Sequence, residues 1–192
     1  AFYDCSGMVE LTIPNTTVKL GTYCFGNCKG LRTVTLPVDY DFSGNPFAAS
    51  SSSEHTNGVT TIHYTFGQTG IMTDRVGNTN NILGYSRTLE YASRNAIQSI
   101  DFEDGITHVG NYLFYPGSST LSQIELPDSM QTIGSCSFYG CTALSSIDFN
   151  EGLKSLGEYA FNGCKSFPAL PEFPDSLTTV GASAFANCDG LQ

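Results

Sequence analysis

A phenylalanine returns every 23 or 24 residues along much of this 192-residue chain. Phe2 to Phe25 is 23 residues, Phe114 to Phe138 is 24, Phe138 to Phe161 is 23 and Phe161 to Phe185 is 24. A glycine stands four residues before Phe25, Phe114, Phe138, Phe161 and Phe185. A cysteine stands three residues after Phe2, Phe25, Phe138, Phe161 and Phe185. Coincident triplets at a fixed period identify stacked repeats. Each unit is too short to bury its own apolar face, so neighbouring copies must bury it.

Residues 144–164 supply the template: Leu144, Ile147, Phe149, Leu153, Leu156, Gly157, Phe161, Cys164. The same offsets recur from Leu121 as Ile124, Leu126, Met130, Ile133, Gly134, Phe138 and Cys141. They recur again from Ile97, from Met8 and, with a one-residue slip, from Phe167. Ile147 and Phe149 share one face of an extended segment, because strand side chains alternate with a period of two. Pro14, Pro37, Pro127 and Pro174 end four such strands, where a missing N–H stops a ladder. A second short extended piece over 155–157 leads into an expected helical turn around Tyr159, Ala160 and Phe161. Roughly seven coils follow from the length and the period.

The pattern LxxIxLPxxLxxIGxxAFxxC over 121–141 resembles the BspA-type leucine-rich repeat of bacterial surface proteins. The resemblance covers 1–37 and 97–192 well and 38–96 poorly. It implies an α/β solenoid: a right-handed leucine-rich-repeat superhelix with a parallel β-sheet on one face and short strands or helical turns on the other. It also implies an extracellular or cell-surface role in adhesion or protein binding.

The irregular stretch is read as one or two distorted coils within a single domain spanning 1–192. Residues 39–58 are rich in Ser, Asn and Asp and read as a surface loop, and 77–81 as another polar turn. Neither end of the array carries a polar cap. This suggests a fragment of a longer protein, with end-to-end association open to it.

The net charge of −10 argues against a nucleic-acid partner, and the apolar runs are too short to insert in a membrane. No GxSxG, glycine-rich phosphate loop or HExxH is present, and His55, His63 and His108 fall in separate coils. No catalytic residue, metal site or cofactor is expected, and the chain is read as a non-enzyme. Cys5, Cys28, Cys141, Cys164 and Cys188 hold one repeat position and read as an inward row of reduced packing thiols. Cys24 and Cys136 lie outside that row, with a local bridge or half a metal site as the alternative reading.

Two surfaces are candidates for a protein partner, such as a host extracellular matrix protein. The outward strand position reads Thr12, Thr35, His63, Asp101, Glu125, Asp148 and Glu172 along the stack, ending in four acids. Residues 97–192 hold 11 acids and 2 bases, net −9, against 7 acids and 6 bases, net −1, in 1–96. A docking strip for a basic partner, a cation-binding face and a merely solvated face all remain open. The second surface is the irregular middle, where Tyr85, Arg87, Tyr91 and Arg94 combine rings with basic charge, as interface anchors do. The alternative to partner binding is a structural spacer holding another domain away from the cell surface.

Overall fold

The computed structural model describes residues 2–17, 19–40, 46–47, 58–72, 74, 96–115 and 117–191. The candidate anchors Tyr85, Arg87, Tyr91 and Arg94, together with His55 and the polar runs 48–53 and 77–81, lie outside them.

The described residues form a parallel-strand β-solenoid. One sheet takes a strand from each of five successive coils: β1 (Glu10–Thr12), β2 (Thr33–Pro37), β3 (Thr61–Thr65), β4 (Ser99–Phe102) and β6 (Gln123–Glu125), in the order β1-β2-β3-β4-β6. The second sheet stacks two-residue strands, β5 (His108–Val109), β7 (Thr132–Ile133), β8 (Ser155–Leu156) and β9 (Thr179–Val180), in the order β5-β7-β8-β9. The register aligns equivalent repeat positions: Leu11 with Val34, Val34 with Ile62, Ile62 with Ile100, and Ile100 with Ile124. Alternation then sends Val34, Ile62 and Ile100 inward, where each is fully buried.

The sheet stops sooner than the pattern predicts. Residues 144–150 repeat the alternation, with Ile147 and Phe149 buried and Asp148 exposed, yet form no strand with β6. Burial persists there without the ladder.

No helix occurs among the described residues, which corrects the α/β expectation. The predicted helical turn around Phe161 is instead a run of turns, because Tyr159 sits at φ 56°, in the left-handed region that a right-handed helix excludes. The same holds two residues before each key phenylalanine: Tyr23, Tyr112, Cys136 and Ser183 have φ between 53° and 62°. Two residues after it the left-handed conformation returns, at Asp4, Asn27, Gly140, Gly163 and Asn187. At these five places the residue is aspartate, asparagine or glycine, which tolerate the conformation; the first position is filled by tyrosine, cysteine and serine, at about 1 kcal/mol or more each.

These conformations turn the backbone so that it bonds along the stack. Tyr112, Phe114, Cys136, Phe138, Gly140, Tyr159, Phe161 and Gly163 each donate their N–H to a carbonyl of the next coil, at 2.7–3.0 Å. Phe25 donates likewise to Pro46 at 2.8 Å. Pro46 and Phe47 therefore occupy the place of Ala160 and Phe161, and Phe47 is buried and stacked 5.6 Å from Phe25. The reading of 39–58 as surface loop is corrected at these two residues and at Tyr40, which is also buried in the core.

Phenylalanine rings form the core column. Phe138 to Phe161 is 5.3 Å and Phe161 to Phe185 is 5.2 Å between centroids, with interplanar angles of 19° and 11°. The glycines beside them close the stack: a Cβ on Gly157 would sit 2.4 Å from the Ser135 nitrogen, and one on Gly181 2.4 Å from the Glu158 nitrogen. All seven cysteines are free thiols. Cys28, Cys164 and Cys188 donate to the carbonyls of Phe2, Phe138 and Phe161, at 3.1, 3.3 and 3.3 Å.

Candidate functional site

Strand register brings Thr12, Thr35, His63, Asp101 and Glu125 into one outward row. Adjacent members sit about 4.8 Å apart, the strand spacing of a sheet. His63 Nδ1 and Asp101 Oδ2 are 2.5 Å apart, and both side chains are partly exposed. Glu125 faces Asp101 across the ladder and accepts a hydrogen bond from Gln123 Nε2 at 2.7 Å. Like charges placed opposite one another on a sheet are destabilising. The row therefore runs from neutral threonines, through a paired histidine, to uncompensated carboxylate.

Asp148 does not continue the ladder. It lies across a cleft of about 240 Å³ that opens where the sheet ends, lined by Ile124, Glu125, Leu126, Asp128, Asp148 and Asn150. Asn150 fixes one wall, donating to the Pro127 carbonyl at 2.7 Å and accepting from the Gly152 N–H at 2.7 Å. Glu172 is exposed on a coil that also lacks a strand at this face. The row of four acids read from the sequence thus divides into Asp101 and Glu125 in the ladder, Asp148 across the cleft, and Glu172 beyond. Among the described residues no group of three or more His, Cys, Asp or Glu side chains could hold a metal ion.

Other carboxylates have structural work. Asp39 accepts the N–H groups of Gln68 and Thr69 at 2.9 and 3.0 Å. Glu103 accepts the Phe66 N–H at 2.7 Å, and Asp74 the Asn111 N–H at 2.9 Å. Each ties a turn to a neighbouring coil and satisfies backbone donors there.

Burial pushes the Cys141 thiol up to about 12, and raises Cys28, Cys164 and Cys188 as well. A thiol kept protonated is a poor nucleophile. Labelling by a thiol-specific reagent at neutral pH is expected to leave Cys141 and Cys164 unmodified in the native protein and to reach them only on unfolding. Rapid native labelling of either would contradict the packing. Because the folded thiol holds its proton above the pH at which an unfolded thiol loses it, stability should fall as pH rises from about 9 toward 12.

A second concave surface was not legible in the sequence. In the turns that follow the strands of the second sheet, Tyr112, Tyr115, Tyr139 and Tyr159 line a cleft of about 460 Å³ with Ser135, Cys136 and Glu158. Tyr112 meets Tyr115 edge-on at 5.8 Å, and Tyr115 meets Tyr139 at 5.2 Å and 50°. The tyrosines stand two residues before or one residue after a key phenylalanine, on three successive coils. The signal was their spacing from Phe114, Phe138 and Phe161.

No helix among the described residues is long and apolar enough to cross a membrane. No curated protein matches the chain. A leucine-rich repeat protein from Bacteroides ovatus has a similar structure, with 23% identity, TM-score 0.54, and coverage of 99% of this chain and 55% of its own. A leucine rich cell surface protein from Faecalibacterium prausnitzii is 17% identical, with TM-score 0.40 over 96% of this chain and 68% of its own. The chain thus spans about 55% of the length of the Bacteroides protein. Six copies of the BspA type leucine rich repeat region match residues 1–86 and 88–192. With nearly every residue inside that match, and with stacked parallel strands, phenylalanine column and inward cysteines in register, the chain belongs to the BspA type leucine-rich repeat family.

Proposed function

We propose that this chain is a non-enzymatic protein-binding module, one domain of a bacterial surface or secreted protein, whose first sheet docks a basic partner such as a host matrix protein. The observation that carries this reading is the register that places His63, Asp101 and Glu125 in one outward row, with Asp148 across the adjoining cleft. Family membership supports a protein-interaction scaffold, and the Faecalibacterium relative is itself described as a cell surface protein. A field of one sign on an open sheet favours encounter with an oppositely charged partner and is screened by salt.

The test is binding to fibronectin, fibrinogen and laminin at two salt concentrations, beside a variant carrying Asp101→Asn, Glu125→Gln, Asp148→Asn and Glu172→Gln. The expected result is salt-sensitive binding that weakens about tenfold in the variant, equivalent to about 1.4 kcal/mol. A variant that binds as tightly as the parent at both salt concentrations removes the row from the reading. Absence of binding by both proteins favours a spacer.

A further inference from the structure

The strongest unassigned feature is the tyrosine cleft beside the second sheet. Its volume, about 460 Å³, lies within the range of pockets that hold a small ligand or a few side chains. Its rings are not there for the backbone's sake. Tyr112, Cys136 and Tyr159 all sit at positive φ, at 62°, 54° and 56°. Tyr23 and Ser183 share this conformation outside the cleft, so it belongs to the repeat and asks for no ring. The rings themselves distinguish these coils, three in succession presenting tyrosine to one concavity.

The chemistry of the cleft selects the occupant. Tyrosine faces carry negative quadrupole charge, and among the described residues the one charged side chain in the lining is Glu158, which is exposed. None of the described lining residues is a lysine or arginine. The two bases of residues 97–192 are engaged elsewhere, Lys165 with Asp189 at 3.2 Å and Lys154 with Gln131 at 3.0 Å. With net charge −9 over this half, the field repels anions and concentrates cations. A planar cation can stack on tilted rings and pair with a carboxylate at once, and among side chains the guanidinium does both.

We propose that this cleft binds an arginine side chain of a protein partner, the guanidinium stacked on Tyr139 and Tyr159 and paired with Glu158. This rests on the protein-binding reading but on a different face from the acidic row. The probe is an amidated, dye-labelled pentapeptide with two arginines between glycines, followed by fluorescence anisotropy. Its citrulline counterpart, equal in shape but neutral, runs beside it. The expected result is at least fivefold tighter binding of the arginine peptide, lost at least fivefold in Glu158→Gln and in Tyr159→Ser. The serine variant copies Ser183, which holds the same place in the next coil. Should Tyr159→Ser fail to fold, Glu158→Gln, altered only at an exposed side chain, decides alone. Chemical shifts of tyrosine rings carrying ¹³C are expected to move for cleft tyrosines. Equal binding of the citrulline peptide overturns the proposal, as does unchanged binding in Glu158→Gln. So does loss of binding confined to the four-residue acidic-row variant, which would place the peptide on the sheet. A groove variant that loses the peptide while the acidic-row variant keeps it upholds this site whatever becomes of the sheet.

Discussion

Gly157→Ala should lower the thermal midpoint by about 10 °C, the equivalent of roughly 3 kcal/mol for a chain of this size. The added Cβ would lie 2.4 Å from the Ser135 nitrogen and 2.5 Å from the Gly134 carbonyl carbon. Both are backbone atoms, so no rotamer change relieves the contact. The coils must move apart, which loosens the hydrogen bonds between them. Gly181 holds the same repeat position, and a Cβ there would lie 2.4 Å from the Glu158 nitrogen and 2.5 Å from the Gly157 carbonyl carbon, so Gly181→Ala should lower the midpoint in the same way. Circular dichroism melts of the two variants beside the parent check the argument. A Gly157→Ala midpoint within about 2 °C of the parent would mean that the stack yields easily.

Phe161→Ala should cost about 3–5 kcal/mol, as deletion of a buried aromatic ring does. Phe161 is fully buried between Phe138 and Phe185, and meets Phe149 and Phe167 edge-on at 5.9 and 6.3 Å. Face and edge contacts each add to the area term. The effect should be spatially graded, because each coil touches only its neighbours. Hydrogen exchange is the discriminating measurement. Amides over 130–190 should lose protection first, while those of β2 and β3 keep theirs. Uniform loss along the chain would show a cooperative unit larger than nearest-neighbour coupling allows.

The repeat was legible because it is written in apolar spacing and in glycine. Ile124, Phe138, Gly157 and Cys164 all sit inward or at a close approach, where only a narrow set of side chains fits. What escaped was backbone pairing. Residues 121–127 and 144–150 share one alternation, and both turn their apolar members inward, Leu126 less completely than Phe149, but only the first joins the ladder. Alternation reports which side is buried; it does not report which carbonyl an N–H reaches. The helical expectation failed for the same reason. Tyr159 and Cys136 are not residues that advertise positive φ, so the first left-handed position of each turn carries no local signal; Gly140 and Gly163 mark only the second. Phe47 escaped because it stands 22 residues after Phe25, behind a proline in a polar stretch. Of the acidic row, the register was readable and the break after Glu125 was not. The tyrosine cleft escaped because its rings occupy positions that vary between copies, and pattern reading discards what does not recur.

The N–H groups that bond coil to coil around the phenylalanines all point toward later coils, and the carbonyls that receive them all point back. In the coils of Phe138 and Phe161 three peptide units lie along the stack in this sense. The second sheet runs the other way: the N–H groups of Gln131, Thr132 and Gly134, and of Lys154, Ser155 and Gly157, reach back to carbonyls of the coil before. The two runs oppose one another, so their dipoles largely cancel, as strand dipoles do in a sheet. Each of these coils is thus tied to the one ahead and the one behind by different segments, and a duplicated coil keeps both sets of bonds only if it is inserted in the same direction.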